Sequence, residues 1–343
     1  MNQGRGSVAI VGAGVGGLAC ARVLGEAGWR VSVFDKSRGL GGRCSTRRAS
    51  VDGLTLRFDH GAQYFTARTP AFQAVVEAGL EAGSLARWRP RLIAVEGTLA
   101  AGRSAVEDET PRYVGVPGMS ALGKLLAARA GVDEARVHRK RRIQALERGV
   151  QGWTLVDEAG ERSEGFEAVL LNLPSAQATP LLEAHAPALA ERSRACTFEP
   201  CWAGMLRPED PALDLGFDAA FVSGGAFSWV ADGGSKPGRS GGAAWVLHAD
   251  PDWTRAHLEE PAEAVARELH ARFEALVGRS IPAAHRSAHR WRFAKPEGIP
   301  EPHLLDADLG LGVCGDWCGG PRVEGAFTSG RSLAQAWLAA RTA

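Results

Sequence analysis

The sequence predicts an α/β fold of two domains, one built on a parallel sheet and the other on a mixed sheet. Residues 8–11, VAIV, form an unbroken apolar run, which is typical of a parallel strand covered on both faces. A glycine-rich turn and an amphipathic helical pattern follow directly, in the order of a Rossmann-like β-α-β unit. Strand-like runs near 201–206, 226–231 and 243–249, with a helical pattern over 261–277, predict the second domain.

The turn after the first strand has the spacing G-x-G-x-x-G. In such a turn Gly12 makes the tight bend, Gly14 admits a pyrophosphate close to the backbone, and Gly17 lets the helix pack against the strand. Gly16 lies in the same turn, and the following helix start offers free N–H groups to phosphate. The second strand ends at Asp35, whose carboxylate suits both hydroxyls of an adenosine ribose and repels a 2′-phosphate. These features together predict a dinucleotide site.

The residues after Asp35 favour FAD over NAD in that site. A glycine-rich loop from Lys36 to Arg43 replaces the further helix–strand repeat that an NAD enzyme would have, and it suits an extended anionic ligand. GAGVGG at 12–17, GLGGR at 39–43 and DHGAQYF at 59–65 resemble the flavin amine oxidase superfamily. The resemblance implies a Rossmann-like FAD-binding domain of the glutathione-reductase or amine-oxidase type. It places these residues along the cofactor: Gly41, Gly42, Arg43, Gln63 and Tyr64, with Lys36 beside them.

The C-terminal stretch VCGDWCGGPRVEGAFTSG (313–330) has its own role in this resemblance. It implies that Gly315 and Asp316 end a strand, with the acid binding the ribityl or phosphate part of FAD. Glu324, Gly325 and Ala326 then begin a helix whose N-terminus faces the flavin, and Val137 lies on the strand that meets the adenine. Cys314 and Cys318 lack the second close pair of a zinc site and the C-x-x-C spacing of a redox pair. We therefore predict no metal site.

Composition excludes several classes of partner. The formal net charge of +1 creates no field that would attract nucleic acid or an anionic membrane. No apolar run approaches the roughly 18 residues of a membrane helix, and no signal-peptide pattern opens the chain. Six cysteines are too few for a disulfide framework in a chain of this length, so we expect reduced thiols and a cytoplasmic protein. The oligomeric state is left open.

Further blocks narrow the resemblance. RYVGVPGMSAL (112–122), WVLHA (245–249), HRWRFAKP (289–296) and DADLGLGVCGDWC (306–318) resemble bacterial renalases. Membership would imply an oxidase that returns the 2- and 6-dihydro isomers of NAD(P)H to NAD(P)⁺. Its electrons would pass through FAD to O₂, giving H₂O₂. A dihydropyridine donates hydride directly and regains aromaticity, so we name no general acid or base.

Three residues of these blocks are candidates for contact with the dinucleotide substrate. They are His248, Arg290 and Trp291. Each has a plain alternative: a core histidine, a solvent-facing arginine on an alternating strand, and a packed sheet aromatic. An FAD amine oxidase or desaturase stays open as an alternative, although the strand-like stretch 198–205 lacks the lysine of true amine oxidases. A flavin-binding protein without catalysis is the third possibility.

The FAD-binding domain must be discontinuous, because its glycine turn is N-terminal and its flavin-facing helix is C-terminal. We assign 1–68, 111–172 and 304–343 to it, with 132–156 returning the chain, and 69–110 and 173–303 to the substrate domain. The Gly-, Ser- and Pro-rich segment 232–242 predicts a mobile loop, either a lid or a surface hairpin loop. No residue is placed for a covalent flavin link, so we expect FAD to be bound non-covalently.

Overall fold

A computed structural model describes residues 6–51, 53–131 and 134–342. Residues 1–5, 52, 132–133 and 343, which belong to the ranges predicted for the FAD-binding domain, lie outside the described residues. The strands are β1 (Ser7–Val11), β2 (Arg30–Asp35), β3 (Arg47–Val51), β4 (Leu54–Phe58), β5 (Leu85–Trp88), β6 (Leu92–Glu96), β7 (Arg103–Ala105), β8 (Arg112–Gly115), β9 (Val137–Arg139), β10 (Ile143–Gly149), β11 (Gly152–Asp157), β12 (Arg162–Phe166), β13 (Ala168–Leu171), β14 (Phe198–Pro208), β15 (Ala219–Ser223), β16 (Phe227–Asp232), β17 (Trp245–Ala249), β18 (Ala283–Pro296), β19 (Leu304–Asp306) and β20 (Leu311–Val313).

The α-helices lie between these strands in an alternating order along much of the chain. They are α1 (Val15–Glu26), α2 (Pro70–Glu81), α3 (Ser120–Arg129), α4 (Ser175–Leu182), α5 (Pro187–Arg194), α6 (Pro251–Ala256), α7 (Ala262–Val277), α8 (Asp316–Gly319) and α9 (Val323–Ala340). Short 3₁₀ helices cover Gly42–Cys44, Glu134–Arg136 and Gly233–Ser235.

The predicted parallel sheet is present and has six strands in the order β19-β20-β13-β1-β2-β9. All neighbours pair in parallel except β19, which runs antiparallel to β20 at one edge. Val8, Ala9 and Ile10 are fully buried because helices and the β10–β12 sheet cover the two faces. The continuous apolar run of β1 is thus explained by burial on both sides.

The strand order brings distant parts of the sequence to one edge. The chain adds β2 and β9 on one side of β1, and later adds β13, β20 and β19 on the other side. The strand order therefore reverses at β1, which lies between β2 and β13. Because β1, β2, β13 and β20 are parallel, the loops after all four leave from the same edge. In doubly wound sheets ligands bind at this switch point, so the fold itself places the dinucleotide site there.

The second sheet is mixed and has seven strands in the order β18-β14-β17-β16-β15-β6-β7. One face packs on α7 through Trp202, Trp245, Leu269 and Phe273. The opposite face meets the β3–β4 hairpin, where Met205 and Val246 bury against Leu56 and Phe58. The predicted fold class, a Rossmann-like domain with a second mixed-sheet domain, is therefore confirmed.

The two sheets follow the predicted division of the chain, but several helices do not. Every strand of the six-stranded sheet comes from 1–68, 111–172 or 304–343, and every strand of the seven-stranded sheet comes from 69–110 or 173–303. Helices α4 and α5 nevertheless pack against the parallel sheet through Leu181, Leu182 and Ala190. The sheet of β5 and β8 also joins both ranges. The exact domain boundaries stay a prediction.

Candidate functional site

The glycine turn forms a narrow cradle at the end of β1. Gly12 has φ 107° and its N–H donates to Phe34 O at 2.7 Å, which ties the turn to β2. A Cβ at Gly14 would lie 2.7 Å from Asn172 Oδ1, and a Cβ at Gly16 would lie 2.7 Å from Ala326 O. A Cβ at Gly17 would overlap Gly12 O. The backbone packing therefore requires glycine at these positions, independently of any ligand.

The glycine-rich loop from Lys36 to Arg43, here called the flavin loop, lies directly against this cradle. Gly41 N donates to Ala13 O at 2.8 Å, and a Cβ at Gly42 would lie 3.3 Å from Gly14 Cα. Both glycines have positive φ, 101° and 57°. Two glycine-rich segments, residues 12–17 and 39–43, thus line one groove at the N-terminus of α1, where backbone N–H groups and the helix dipole favour an anionic diphosphate.

Asp35 stands at the end of β2 beside the cradle. Its Oδ2 accepts from Ala13 N at 2.7 Å and its Oδ1 accepts from Ser37 N at 2.7 Å. Each carboxylate oxygen keeps a further lone pair, so Asp35 can orient the turn and still accept from ribose hydroxyls. Val137 lies on β9, the neighbour of β2, opposite Val33. Lys36 donates to Gln177 at 3.5 Å, and burial lowers its pKa.

Arg43 and Asp316, predicted separately as cofactor residues, bind each other. Arg43 Nη2 lies 2.6 Å from Asp316 Oδ1, and Arg43 Nη1 donates to Ala294 O at 2.9 Å on β18. The guanidinium therefore joins the flavin loop, the end of the parallel sheet and the substrate sheet. Gly315 has φ 156°, and Asp316 begins the short helix α8, which the sequence reading did not predict.

The N-terminus of α9 is organised by Glu324. This buried carboxylate accepts from Arg68 N at 3.0 Å, from Thr69 N at 2.6 Å and from Thr69 Oγ1 at 2.8 Å. It thereby holds the residues that precede α2. Gly325 lies against Gly319 and Gly320, and the carbonyl of Ala326 lies against Gly16, so α9 meets the glycine turn through backbone contacts. The structure shows a positioning role for Glu324 that the sequence did not reveal.

Asn172 is a site residue that sequence reasoning missed. It follows β13 directly, and its backbone and side chain contact Gly12, Gly14, Gly16 and Gly17. Its Nδ2 donates to Cys314 O at 3.2 Å, which links the ends of β13 and β20. A polar residue immediately after a buried parallel strand was the available signal, because such residues fall at the ligand-binding edge.

A buried ionic cluster joins the two domains beside the predicted flavin residues. Asp59 accepts from Thr46 Oγ1 at 2.7 Å, Met119 N at 2.9 Å, Lys236 Nζ at 3.2 Å and Arg239 at 2.6 Å. The side chains of Lys236 and Asp59 are 0% and 1% exposed. Burial alone would raise the pKa of Asp59, but the two cations and the hydrogen bonds outweigh it and hold that pKa below its usual value.

Two cations bind one carboxylate in this cluster, and the nearby carboxylate of Asp232 also acts electrostatically on Lys236. Burial lowers the pKa of Lys236, although Asp59 opposes that shift. The ammonium also lies 5.3 Å from the Trp88 ring centroid. The segment 232–242 was predicted to be a mobile lid or a surface hairpin loop. That prediction is wrong for its centre, because Lys236 and Arg239 anchor it in the interface between the domains.

Gln63 is bound by the ionic cluster, and Tyr64 is packed among the rings next to it. Gln63 Nε2 donates to Asp59 O, and its Oε1 accepts from Lys236 Nζ at 3.3 Å. The Tyr64 ring lies between Trp88 and Trp229, at centroid distances of 6.2 and 5.7 Å, and Arg112 lies 5.3 Å from its centroid. Both side chains are therefore oriented by residues of the substrate domain as well as by their own loop.

A cluster of histidine and tryptophan rings covers the sheet face that meets the FAD-binding domain. His289, Ala203, His248 and Trp229 pair in one row across β18, β14, β17 and β16, so their side chains share that face. His60 O accepts from Trp291 Nε1 at 2.8 Å and is 3.2 Å from His248 Nε2. The structure thus brings His248 and Trp291 together at one carbonyl of the loop that also carries Gln63.

These imidazoles are neutral near pH 7. Burial lowers the pKa of His60 to about 3 and that of His248 to about 4, and burial with the neighbouring Arg47 lowers that of His289 to about 4. Because a carbonyl only accepts, His248 Nε2 must carry its proton. His60 stacks on Trp291 with centroids 5.0 Å apart, and its buried Nδ1 has no partner among the described residues.

Arg290 is not brought to this cluster. It alternates with Trp291 on β18, so it points to the opposite face of the sheet. There its guanidinium donates to Leu258 O and pairs with Glu259 at 3.0 Å, and it lies 5.5 Å from the Trp202 ring centroid. The alternative that we gave for Arg290 was a solvent-facing arginine on an alternating strand. The side chain does lie on the face away from the ring cluster, but it is partly buried and paired there instead of extending into solvent.

The cysteines of the C-terminal stretch are buried thiols. Burial raises the pKa of Cys314 to about 12 and that of Cys318 further, so both are protonated at neutral pH. Within the part of the chain that the structure describes, no group of three histidine, cysteine or carboxylate side chains is arranged to hold a metal ion. Among the same residues no helix is long and apolar enough to cross a membrane.

Comparisons with known proteins agree with this architecture. Residues 10–78 match the family model of the NAD(P)-binding Rossmann-like domain. Over 53 residues, 16% of this chain and 10% of the relative, the chain is 55% identical to the zeta-carotene-forming phytoene desaturase of Myxococcus xanthus. Over 58 residues, 17% of this chain and 11% of the relative, it is 47% identical to the carotenoid 3,4-desaturase of Haloarcula japonica. The chain thus covers about a tenth of these relatives' length.

Structural similarity extends over nearly the whole chain. A putrescine oxidase superposes with a TM-score of 0.70 at 15% identity, covering 97% of this chain and 99% of that one. A putative protoporphyrinogen oxidase from an Exiguobacterium species gives a TM-score of 0.70 at 14% identity, covering 96% and 98%. The two-segment glycine cradle and Asp35 fit FAD, and the fold and the matched segment bear out FAD as the cofactor. The chain therefore has the fold of these two oxidases, with an FAD site at the switch point of its parallel sheet.

Proposed function

We propose that this protein is a renalase-like oxidoreductase that oxidises the 2- and 6-dihydro isomers of NAD(P)H to NAD(P)⁺. Its proposed partners are this dinucleotide substrate and O₂, which would be reduced to H₂O₂, and its proposed location is the cytoplasm. Bound FAD would supply the hydride acceptor and the reactivity with oxygen. The chain's own task is then to bind, orient and shield the dihydropyridine ring.

The charge of the site is the observation that carries this proposal. The carboxylates near Gln63 and Trp291 are already engaged: Asp59 by two cations, Asp316 by Arg43, and both Glu324 and Asp232 by backbone N–H groups. Lys236 adds a buried positive charge, and the nearby histidines are neutral. Such surroundings favour an anionic substrate and disfavour a protonated amine.

The ring cluster supports binding of a flat heterocycle. Trp291 and His60 stack on each other and are held by a backbone hydrogen bond, so they form a rigid apolar wall that can pack against a nicotinamide ring. His248 is neutral and donates its Nε2 proton to His60 O, so it places no charge beside the dihydropyridine ring. Oxidation of a dihydropyridine needs no proton acceptor, which agrees with a site whose imidazoles are bound to backbone or stacked.

An FAD-dependent amine oxidase or desaturase remains the second candidate because the named relatives are oxidases and desaturases. The stretch Phe198–Met205 lies on β14 and contains no lysine. Lys236 is buried nearby, but its ammonium is bound to Asp59 and Gln63. An amine substrate would also find no unengaged carboxylate among the described residues around Gln63 and Trp291.

Anaerobic stopped-flow reduction of the purified holoprotein tests the proposal. The reductants are the 2- and 6-dihydro NAD isomers, ordinary NADH, and a panel of primary and secondary amines. We expect rapid loss of flavin absorbance with at least one isomer and slow loss with NADH and the amines. Reduction by amines alone would support the amine oxidase, and no reduction by any of them would support a flavin-binding protein without catalysis.

Two substitutions and a matched control locate the substrate. Trp291→Leu and His248→Asn remove groups from the ring cluster, and we expect each to raise the KM for the isomer or slow flavin reduction. Arg290→Gln is the control, because Arg290 is adjacent in sequence but faces α7. Equal effects of all three substitutions would contradict substrate binding at the ring cluster.

A further inference from the structure

The β3–β4 hairpin places an arginine at the edge of the ring cluster. Arg47 begins β3, four residues after Arg43 of the flavin loop, and it pairs with Phe58 of β4. Phe58 is fully buried against the substrate sheet, so the side chain of Arg47, on the same face of the hairpin, also points toward that sheet. Arg47 itself is exposed and thus lies where the ring cluster meets solvent.

One hydrogen bond fixes the position of its guanidinium. Arg47 Nη2 lies 3.2 Å from His289 Nδ1. Arginine only donates, so His289 Nδ1 must accept and its proton must lie on Nε2. His289 contacts both other rings, with centroids 4.8 Å from His60 and 4.5 Å from Trp291. The cation is therefore one ring away from the proposed nicotinamide wall.

Among the residues that the structure describes, the rest of the guanidinium has no anionic partner. Residues 6–51, 53–131 and 134–342 contain no carboxylate in ion-pair contact with Arg47, and one of its five N–H groups is used by His289. Arg43, by contrast, is bound by Asp316 and by two carbonyls. Arg47 is thus a rim cation with an open donor fork, the geometry that suits phosphate.

The hairpin adds charge of the same sign. Arg48 and Arg57 pair directly across β3 and β4, an arrangement that places like charges opposite each other. Residues 47–58 contain three arginines and one acid, Asp52, so the segment carries a formal charge of +2. A positive segment of this kind attracts an anion to the rim on which Arg47 lies.

We propose that Arg47 is a specificity-determining residue that binds a phosphate of the dinucleotide substrate while the dihydronicotinamide ring of that substrate lies against Trp291. This inference rests on the proposed function. A dihydronicotinamide against the ring cluster carries its first phosphate one ribose away, in the direction of solvent. Two phosphate sources share this chemistry, the pyrophosphate common to both substrates and the 2′-phosphate of the NADP form, and the test distinguishes them.

The test compares substrates that differ in phosphate content, for the wild-type holoprotein, Arg47→Gln and Arg47→Lys. The substrates are the same dihydro isomer as the NADP form, the NAD form, the nicotinamide mononucleotide and the phosphate-free riboside. For Arg47→Gln we expect kcat/KM to fall roughly tenfold or more with the NAD form and the mononucleotide, mainly through KM, because a charge-assisted bond is lost. The riboside should be unaffected, and Arg47→Lys should lie between wild type and Arg47→Gln.

The pattern of losses separates the possible roles. A loss with the NADP form alone would assign Arg47 to the 2′-phosphate. An equal loss with the riboside would show that Arg47 acts on the ring through His289, and it would overturn phosphate binding, as would no loss with any substrate. Arg103→Gln, an exposed arginine on β7, is the matched control and should change no value.

A binding measurement keeps the inference testable if no isomer is oxidised. Calorimetric titration of the FAD-saturated holoprotein with NAD⁺ and with ADP-ribose reads the phosphate contact without turnover. We expect Arg47→Gln to weaken NAD⁺ binding roughly tenfold while bound FAD is unchanged. If the wild-type protein oxidises no isomer but Arg47→Gln still weakens NAD⁺ binding, the proposed function is contradicted and the phosphate site is retained. Phosphate binding by Arg47 would be overturned if the wild-type protein bound neither NAD⁺ nor ADP-ribose, or if it bound both with the same affinity as the Arg47→Gln variant.

Discussion

The buried cluster of Asp59, Lys236 and Arg239 makes an asymmetric prediction about stability. Asp59→Asn leaves both buried cations without the carboxylate that they both contact, whereas Lys236→Met leaves Asp59 paired with Arg239 at 2.6 Å. The two substitutions remove opposite charges from one ion pair that is 0% and 1% exposed. A model in which each ion pair simply adds stability would predict similar losses for the two.

The structure gives different magnitudes. Removing one partner of a buried pair typically destabilises by about 3–5 kcal/mol, because the other charge stays desolvated. Asp59→Asn strands two cations and weakens the bonds from Thr46 and Met119, so we expect a loss at or above the upper end of that range. Lys236→Met leaves Asp59 paired with Arg239 and conserves volume, so we expect a change within about 1 kcal/mol of zero.

The sign of the pH dependence follows from the same pKa shifts. The pKa of Asp59 is lowered by folding, so its contribution to stability is present above the usual value of 3.8 and is lost as pH falls through the folded-state pKa. The pKa of Lys236 is also lowered, so its own contribution to stability rises as pH increases from its folded-state pKa toward 10.5, whereas buried thiols with raised pKa, such as Cys314, lower stability above their usual value of 9.0. The stability of the wild type relative to Lys236→Met should therefore rise over that range, since the thiols are common to both proteins.

Urea unfolding at saturating FAD, followed by tryptophan fluorescence, measures these free energies. Lys295→Met is the matched control, because Lys295 is 65% exposed in its pair with Glu199 and should change the free energy by about 1 kcal/mol or less. A loss for Lys236→Met as large as that for Asp59→Asn would refute the reasoning that Arg239 alone is enough to neutralise Asp59.

Three further predictions concern the cofactor. Gly17→Ala should lose FAD on purification because its Cβ would overlap Gly12 O, whereas Gly39→Ala in the neighbouring loop has open space and should retain FAD; equal retention would contradict the cradle. Arg43→Lys should weaken FAD binding roughly tenfold, measured by FAD fluorescence, because one ammonium cannot reproduce the fork to Asp316 and Ala294; an unchanged affinity would contradict that role. Acid denaturation should release all FAD into the supernatant, and flavin left on the chain would disprove non-covalent binding.

Much of the cofactor side of the site could be predicted from sequence because its parts are local. The glycine turn, the strand before it and Asp35 lie within one short segment, and each residue type answers a backbone requirement of that segment. The alternating pattern of β18 likewise allowed both placements of Arg290 to be stated. Sequence alone could not choose between them, because it does not specify which face of a strand meets the helices.

The contacts that cross the domains could not be predicted. The pairing of Arg43 with Asp316, separated by 273 positions, depends on the strand order that sets β20 beside β13. The segment 232–242 has a loop composition, and only tertiary packing shows that Asp59 draws Lys236 into the interface. The composition of a segment predicts whether that segment alone would be exposed to solvent. It cannot show that an oppositely charged residue far away in the chain will bind it.

The sequence by itself determined the Rossmann-like unit, the place where a dinucleotide is expected and the need for glycine at the turn, because short-range sterics and hydrogen bonding decide these features. Tertiary structure decided which charges are neutralised, which imidazoles stay neutral, and that Arg47 lies at the rim with an open donor fork. Those properties depend on burial and on partners far away in the chain, since the free energy of a charged group is set by its surroundings.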